Sequence, residues 1–214
     1  MKELTSIYQK VLGTQFHKLH PMLQHRYTLT KEKGFIGKGM MDEITGGNYF
    51  IRKMFHFGVP YRVFFPERGR KVPFLIENKV VIGQNGEDVV EWNRTFSFKK
   101  HSRHFDAIMF LDERNEEIVD LFGKPSILGS TLSLKVNERD GSLLIRSVQQ
   151  WLVVNGEKLP LPRILHGEAR IIESYDDAAN LYKIQVEVKN PLLGTLFHYK
   201  GSFMEVERDS QYET

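Results

Sequence analysis

The stretch EWNRTFSF, residues 91–98, places an arginine among aromatic residues at the spacing of a strand. Read with a period of two, Arg94 shares one face with Trp92 and two phenylalanines, and the polar residues share the other face. A guanidinium group does not lose its proton in proteins, so on an inward face it requires an anion or several carbonyl groups. Arg94 is therefore the first candidate for chemistry in this chain.

Two interpretations of Arg94 follow from its position. In the structural one, the guanidinium stacks on Trp92 and forms a closed ion pair with Asp120 or Glu168. In the functional one, it reaches into a cavity and holds the carboxylate or phosphate of a ligand that has an apolar body. The residues alone leave both interpretations open.

Tyr199 and two loop residues are further candidates for ligand binding. Tyr199 shares a face with Gly201, where a missing side chain would let a ligand meet the hydroxyl group. The alternative is a tyrosine that bonds a backbone carbonyl at the edge of the core. Arg163 and His166 follow the prolines of the loop NGEKLPLPRIL, near the start of a predicted strand, where the mouth of a barrel places ligand-facing groups. A solvated loop arginine is the alternative there.

The sequence contains no known catalytic motif, neither a nucleophile elbow, a zinc-protease helix nor a phosphate-binding loop. A second hypothesis is an enzyme that uses the same cavity for proton transfer or hydrolysis, with His104, Asp120 or Glu168 as the base. The residues leave open whether the chain is an enzyme. The histidine pairs three residues apart lack an acidic third ligand at a fixed local spacing, so no metal site is predicted.

The composition narrows the classes of function further. Lys and Arg total 30 against 27 Asp and Glu, and the small surplus is spread along the chain, so no nucleic-acid partner is expected. The absence of cysteine excludes disulfides and a cysteine nucleophile, and a reducing cytoplasm is the simplest location. The start MKELTSIYQKVLG lacks the apolar core of a signal peptide, and no apolar run approaches the roughly 18 residues of a membrane span. Neither secretion nor membrane insertion is expected.

Helices are predicted at the N-terminus and once more near residue 50. Apolar residues at helical spacing predict a helix over residues 3–12 that ends at Gly13, and a second short helix that Pro21 interrupts or restarts. Residues 1–26 should therefore pack as a helical segment on the rest of the protein. A further helix is predicted over residues 48–57.

After residue 60 the hydrophobic period changes to two, and turns of hairpin length separate the runs. A sheet of about ten antiparallel strands must curl or close on itself, so the predicted fold is mainly β, a single antiparallel barrel or strongly curved sheet. Residues 1–214 are expected to form one domain, with residues 207–214 as a frayed tail. The predicted strands lie near residue 35 and at residues 72–82, 87–98, 104–112, 116–122, 127–137, 142–154, 164–174, 181–189 and 195–206.

Six segments occur here in the order seen in a bacterial family of unknown function, and the chain resembles that family over nearly its whole length. Members of the family stand alone or follow a saccharopine-dehydrogenase-like Rossmann half. The resemblance implies kinship and fold, and it supplies no catalytic residues. No cofactor is expected, because no strand, GxGxxG turn and helix follow one another in this chain. The segments are LGTQFHKLHPMLQHRY, GKGMMDEITGG, EWNRTFSF, DLFG, GEKLPLPRIL and NPLLGTLFHYKGSF.

The leading hypothesis is a cytoplasmic protein that binds a small amphipathic or acidic ligand inside a barrel-like cavity. Arg94 would anchor the acidic head group, Trp92 and Tyr199 would line the cavity, and Arg163 and His166 would lie near its mouth. A third hypothesis is a protein-interaction module, as the fused relatives suggest, which would expose an apolar patch. The residues leave open the identity of the ligand, the oligomeric state and the closure of the barrel.

Overall fold

Antiparallel strands form most of the protein. The computed structural model describes residues 5–207 of the 214-residue chain. Alternating apolar residues and short turns arrange the strands largely as successive hairpins. The strands are β1 (Phe35–Thr45), β2 (Gly69–Ile82), β3 (Asp88–Ser97), β4 (Ser102–His104), β5 (Ala107–Asp112), β6 (Glu117–Gly123), β7 (Ser126–Asn137), β8 (Ser142–Val154), β9 (Glu157–Pro160), β10 (Glu168–Asp176), β11 (Leu181–Asn190) and β12 (Gly194–Glu205).

The sheet closes on itself between β8 and β10. Ten strands form the ring, in the order β1, β2, β3, β5, β6, β7, β8, β10, β11 and β12, and β12 pairs back with β1. The closing ladder joins residues 143–146 to residues 170–173. The two other strands lie outside the ring, β4 beside β3 and β9 beside β8. The predicted antiparallel barrel of about ten strands is confirmed.

Side chains extend the closing seam beyond the backbone ladder. The amide of Gln150 donates to the Gly167 carbonyl over 2.8 Å and accepts from the Gly167 N–H over 2.9 Å. The Ser147 hydroxyl accepts from the Ala169 N–H over 2.8 Å. A glutamine amide carries both a donor and an acceptor, so it can replace a backbone partner where β8 and β10 diverge. The barrel wall therefore remains bonded along this part of the seam.

Helices cover one end of the barrel, which we call the floor. Helix α1 (Ile7–Leu12) begins with a capping box, in which the Ser6 hydroxyl accepts from the Gln9 N–H and the Gln9 side chain accepts from the Ser6 N–H. A 3₁₀ turn leads to α2 (Pro21–Tyr27), which has proline at its first position. The two predicted N-terminal helices are confirmed, and residues 1–4 lie outside the described residues.

Aromatic contacts attach the floor to the barrel wall. The indole N–H of Trp92 donates to the hydroxyl of Tyr8 over 2.8 Å, and the Tyr8 ring meets the Tyr27 ring edge-on at 4.8 Å between centroids. Apolar residues of the helices belong to the same core cluster as the inward residues of the strands. Burial of these side chains, each of which stabilises the fold by roughly 1.5–3 kcal/mol, fixes the helices in place. The buried helical residues include Ile7, Leu12, Phe16, Leu23 and Tyr27.

Helix α3 (Tyr49–Phe55) follows β1 at the opposite end of the barrel, which we call the mouth. Its cap is Asn48, whose side-chain oxygen accepts from the Ile51 N–H over 3.0 Å. Ile51 is buried, whereas Tyr49 and Phe50 point into solvent. The further helix predicted near residues 48–57 is confirmed. Within residues 5–207, no helix combines the length and apolar character needed to cross a bilayer.

Several predicted boundaries differ from the structure. The run 104–112 is interrupted before β5, because the Asp106 N–H bonds to the Arg62 carbonyl outside the ladder. The run 164–174 begins with a 3₁₀ turn and becomes a strand only at Glu168. The unpredicted β9 tolerates Pro160 because it pairs with β8 on one side alone. The predicted tail, residues 207–214, lies outside the described residues except for residue 207.

Candidate functional site

The barrel contains a cavity of about 460 Å³ between the floor and the mouth. Small-molecule sites in proteins commonly have volumes of roughly 300–1,000 Å³ and mostly apolar walls. Here the walls are inward-facing side chains of β3, β5 to β8 and β10 to β12. The polar side chains that line the cavity are Tyr61, Arg94, Asp120, Ser130, Ser147, Gln150 and Glu173, together with the indole of Trp92.

The guanidinium group of Arg94 lines this cavity without a counter-ion. The residue is 6% exposed, and its Nε donates to the Phe105 carbonyl over 2.7 Å. Its Nη2 makes no hydrogen bond of normal geometry among residues 5–207, although the Tyr199 hydroxyl is close enough to interact with the guanidinium. The guanidinium carbon lies 4.2 Å from the centroid of the Phe105 ring and 5.9 Å from that of Trp92. The guanidinium thus contacts the Trp92 ring, as the structural interpretation expects, although the Phe105 ring is nearer. The ion pair of that interpretation is not formed, because no carboxylate of the described chain lies within salt-bridge distance of Arg94.

Two other arginines of the protein show how a buried guanidinium is usually satisfied. Arg26 and Glu173 form an ion pair at 2.7 Å with 1% of each side chain exposed, and Arg26 also donates to Asn78. Arg68 donates to four backbone carbonyls around the base of α3. The guanidinium of Arg94 donates to one backbone carbonyl, whereas that of Arg68 donates to four. Arg94 therefore has the less complete set of hydrogen bonds.

Asp120 lines the same cavity from β6. It is buried, and its Oδ1 has no hydrogen-bond partner in the described part of the chain. Burial disfavours the charged carboxylate and raises the pKa of Asp120 to about 7, although the nearby Arg94 cation acts in the opposite direction. Near neutral pH this carboxyl group is therefore present in both protonation states. Arg94 and Asp120 lie in the same cavity lining, but no direct ion pair joins the two side chains.

Tyr199 lies behind Arg94 and outside the cavity lining. Its ring packs between Phe96 and other aromatic residues, at 5.3 Å between those two centroids, and its hydroxyl has no partner within residues 5–207. Burial raises the pKa of Tyr199, and the Arg94 cation lowers it by a smaller amount. The backbone of β1 fills the gap at Gly201, since a Cβ built there would lie 2.2 Å from the Met40 carbonyl oxygen. No room for a ligand exists at that glycine.

The residues predicted near the mouth are placed differently. Arg163 and Glu168 are exposed, and the Nε2 of half-buried His166 lies 2.8 Å from a carbonyl of its own loop. Their neighbours Leu165 and Gly167 line the cavity instead. The cause is the phase of β10, in which the odd-numbered residues point inward. Arg163, His166 and Glu168 are therefore not brought together with Arg94.

His104 also lies away from the cavity. It is on β4, outside the ring, with its Nδ1 at 3.2 Å from the hydroxyl of Thr95. Partial burial lowers the pKa of His104, and the neighbouring Arg62 cation acts in the same direction. In the described chain, no three histidine or carboxylate side chains converge in a way that would hold a metal ion.

The sequence analysis missed the buried pair of Arg26 and Glu173 and the polar contacts of Gln150. Glu173 shares the inward face of β10 with Ile171, so strict alternation along EARIIESYD contains the signal. Its partner is 147 residues away in sequence, and no local pattern indicates that pairing. Gln150 projects across the seam between β8 and β10, which only the closed topology creates.

Comparisons with known proteins identify the family of this chain. The family model described as Domain of unknown function (DUF4166) matches residues 19–203. A relative from Bacillus subtilis (strain 168), described as uncharacterized protein YndH, is 45% identical over 207 residues. The matched region covers 97% of this chain and 100% of that protein. The predicted resemblance to a bacterial domain-of-unknown-function family is confirmed. This β-barrel protein belongs to the DUF4166 family.

Proposed function

We propose that the barrel binds a small molecule with an apolar body and an acidic head group, and that Arg94 holds the head group. The observation that carries this proposal is a buried guanidinium with an unpartnered Nη2, on the wall of a mainly apolar cavity of about 460 Å³.

An acidic group with two oxygens, a carboxylate or a phosphate, is what the Arg94 guanidinium can receive. Its Nε is bonded to the Phe105 carbonyl and its ring stacking holds the guanidinium plane, which leaves Nη2 to donate. Arginine presents parallel N–H groups that fit the two oxygens of a carboxylate or two oxygens of a phosphate. In an apolar cavity this interaction competes with little water, so it is stronger than on the surface.

Asp120 completes the head-group site when it is protonated. With its pKa raised to about 7 by burial, the neutral carboxyl group carries an O–H that can donate to an anionic ligand. The ionised form would instead repel that ligand and compete for Arg94. A bound carboxylate therefore favours the protonated form of Asp120, and binding of the acid anion is expected to take up a proton above pH 7.

The rest of the cavity suits an aliphatic or aromatic body. Trp92 forms part of the wall near the floor, where its hydrogen bond to Tyr8 holds the indole in one orientation. Apolar side chains from seven further strands surround the space, and their burial against a ligand would release water from both surfaces. Further wall residues are Met109, Phe122, Leu132, Ile145, Ile171, Ile184, Val186 and Val188.

Binding of dodecanoate, compared with dodecanol, tests the proposal. The two probes share one tail and differ in the charge of the head group. We expect isothermal titration calorimetry to give a stoichiometric complex with dodecanoate and at least about tenfold weaker binding of dodecanol. Arg94→Met should remove this preference, and Arg163→Met, at an exposed arginine, should retain it. Equal affinity of the wild type for both probes, or no binding of either, would contradict the proposal.

A second candidate function is an enzyme that acts on the same class of ligand, with Asp120 as the acid–base group. The specific observation in its favour is a buried carboxyl group, unpaired at Oδ1 in the described chain, whose pKa lies near 7 and which faces a ligand-sized cavity. Incubation of a bacterial metabolite extract with wild type and with Asp120→Asn, followed by mass spectrometry, distinguishes the two functions. Products formed by the wild type alone favour the enzyme, and retained but unchanged metabolites favour binding.

We also propose a cytoplasmic location. It is supported by the absence of cysteine from a chain of 214 residues, since small secreted proteins frequently depend on disulfides. Fractionation of the native bacterium, with immunodetection of the protein in the cytoplasmic and membrane fractions, is the test.

A further inference from the structure

Exposed apolar side chains surround the mouth of the cavity. Four of them, Met54, Phe57, Tyr61 and Leu165, also line the cavity, so they mark its rim. Phe57, for example, is 80% exposed to solvent. Together with their exposed apolar neighbours they form what we call the collar. The collar consists of Tyr49, Phe50, Met54, Phe57, Tyr61, Ile164, Leu165, Leu192 and Leu193.

Hydrogen bonds hold the separate segments of the collar side by side. The Asn190 side chain donates to the Ile164 carbonyl over 2.8 Å and accepts from the Leu192 N–H over 2.9 Å, so it joins the loop before β10 to the turn after β11. The Gly47 N–H donates to the Thr195 carbonyl, which brings the start of α3 beside the start of β12. The collar is thus a continuous surface and not a set of scattered exposed residues.

The charges in these segments have one sign. Arg52 and Lys53 on α3 are exposed, as is Arg163 beyond the proline-containing loop, and no ion pair neutralises them within the described residues. Arg62 is different, because it pairs with buried Asp106 at 2.8 Å. Residues 48–66, 158–167 and 191–197 contain no Asp or Glu. Lys158 lies over the Trp151 ring in a separate cleft that also contains Asp112 and Glu117, so the positive charge of the collar comes from Arg52, Lys53 and Arg163.

We infer that the collar docks on an anionic membrane surface, where the cavity exchanges its ligand with the lipid phase. Apolar side chains that flank a short helix can enter the headgroup region, and each lysine or arginine near an anionic bilayer adds about 1 kcal/mol of attraction. The contact is peripheral, so it agrees with the expectation that the chain does not insert across a membrane. An amphipathic ligand could then pass between the bilayer and the cavity without crossing water.

The chemistry of the collar favours a lipid surface over a folded protein partner. A protein that covered the collar would also close the mouth of the cavity, whereas a fluid headgroup layer can part to admit a ligand. Docking of the collar on a membrane depends only on the collar and its charges, whereas exchange of a ligand rests on the function proposed above.

Vesicle flotation tests the inference, with vesicles of phosphatidylcholine and phosphatidylglycerol compared with vesicles of phosphatidylcholine alone. We expect the wild type to float with the anionic vesicles only. The double variant Tyr49→Ser/Phe50→Ser should lower the bound fraction, and Arg52→Glu/Lys53→Glu should lower the partition coefficient at least about tenfold. The matched control is Ile82→Ser, an exposed apolar residue at the end of β2 nearest the floor, which should float like the wild type.

Tyr49 and Phe50 do not line the cavity, so their variants separate this inference from the proposed function. If dodecanoate binding and the melting temperature persist in Tyr49→Ser/Phe50→Ser while flotation is lost, the collar is the membrane contact. Three results would overturn the inference: no flotation of the wild type, equal flotation with both kinds of vesicle, or a homodimer that this variant dissociates in light scattering.

Discussion

Arg94 and Asp120 face one cavity from β3 and β6, and each keeps an atom without a hydrogen-bond partner in the described chain. A complete ion pair between them would have neutralised both groups and left the cavity without polar specificity. Their separation leaves a cation ready for an anion and a carboxyl group that burial holds near its midpoint of ionisation. The first two predictions test these properties.

The pH dependence of stability should report the buried Asp120. Its pKa is about 7 in the folded protein, above the ordinary aspartate value of 3.8, so the folded state binds more protons than the unfolded state between these two pH values. Stability from this group is therefore greatest below about pH 4 and falls as the pH rises to about 7. In Asp120→Asn this loss disappears, so the difference in unfolding free energy, variant minus wild type, should rise by about 1.4 kcal/mol per pH unit across this window.

Urea denaturation of the two proteins at several pH values between 4 and 8 measures this difference. The variant replaces the carboxyl group by a neutral amide of nearly the same shape, so changes in packing should be small. Parallel pH profiles for the two proteins would show that Asp120 is ionised in the folded state throughout this range.

The shape of the Arg94 group should matter as well as its charge. Arg94→Lys keeps a cation at the cavity wall but loses the planar fork and the stacking on Phe105. We expect dodecanoate to bind this variant about tenfold more weakly than the wild type, and Arg94→Met to bind it more weakly still. Calorimetric titration of the three proteins gives the order. An Arg94→Lys variant as tight as the wild type would mean that charge alone holds the head group.

The ion pair of Arg26 and Glu173 should be the most sensitive polar contact for stability. Both side chains are almost completely buried, so Arg26→Met leaves an uncompensated carboxylate beside the cavity. We expect the free energy of unfolding to fall by about 3–5 kcal/mol. The double variant Arg26→Met/Glu173→Met should recover much of that loss, because no charge remains to be buried. Chemical denaturation provides the measurement, and a double variant less stable than Arg26→Met would contradict this explanation.

The attachment of the floor should depend on one tyrosine hydroxyl. In Tyr8→Phe the indole N–H of Trp92 loses its acceptor while the ring packing remains. The expected loss of stability is about 1–3 kcal/mol, the usual cost of an unsatisfied buried donor. Tyr49→Phe, which changes an exposed tyrosine, is the matched control and should leave the melting temperature unchanged. Thermal unfolding followed by circular dichroism compares the two.

Much of the architecture was predictable because strand alternation is a local property. The period of two placed Arg94 and Asp120 on inward faces, as the structure has them. The orientation of Glu168 was not predictable in the same way, because charged residues occur at both odd and even positions of EARIIESYD and only the closed barrel shows that the odd positions point inward. Contacts that depend on closure, such as Gln150 across the seam, require knowledge of which distant strands meet.

Tyr199 illustrates a different limit. A glycine two residues away indicates missing side-chain volume, but the sequence does not say what occupies it. In the barrel, the backbone of the neighbouring strand takes that volume, at 2.2 Å from the position that a Cβ of Gly201 would have. Close approach of two backbones and space for a ligand leave the same trace in a sequence.

In the described part of the chain the helical floor covers one end of the barrel, so a ligand enters and leaves the cavity through the mouth. Arg94 follows Trp92 on β3 in the direction of the mouth, so a ligand held at Arg94 has cavity on both sides of its head group, toward the floor and toward the mouth. A tail that extends from Arg94 toward the mouth would contact Phe57 and Leu165 at the rim of the cavity. A longer tail should therefore slow the dissociation of the ligand, whereas the contacts of its head group with Arg94 should stay the same.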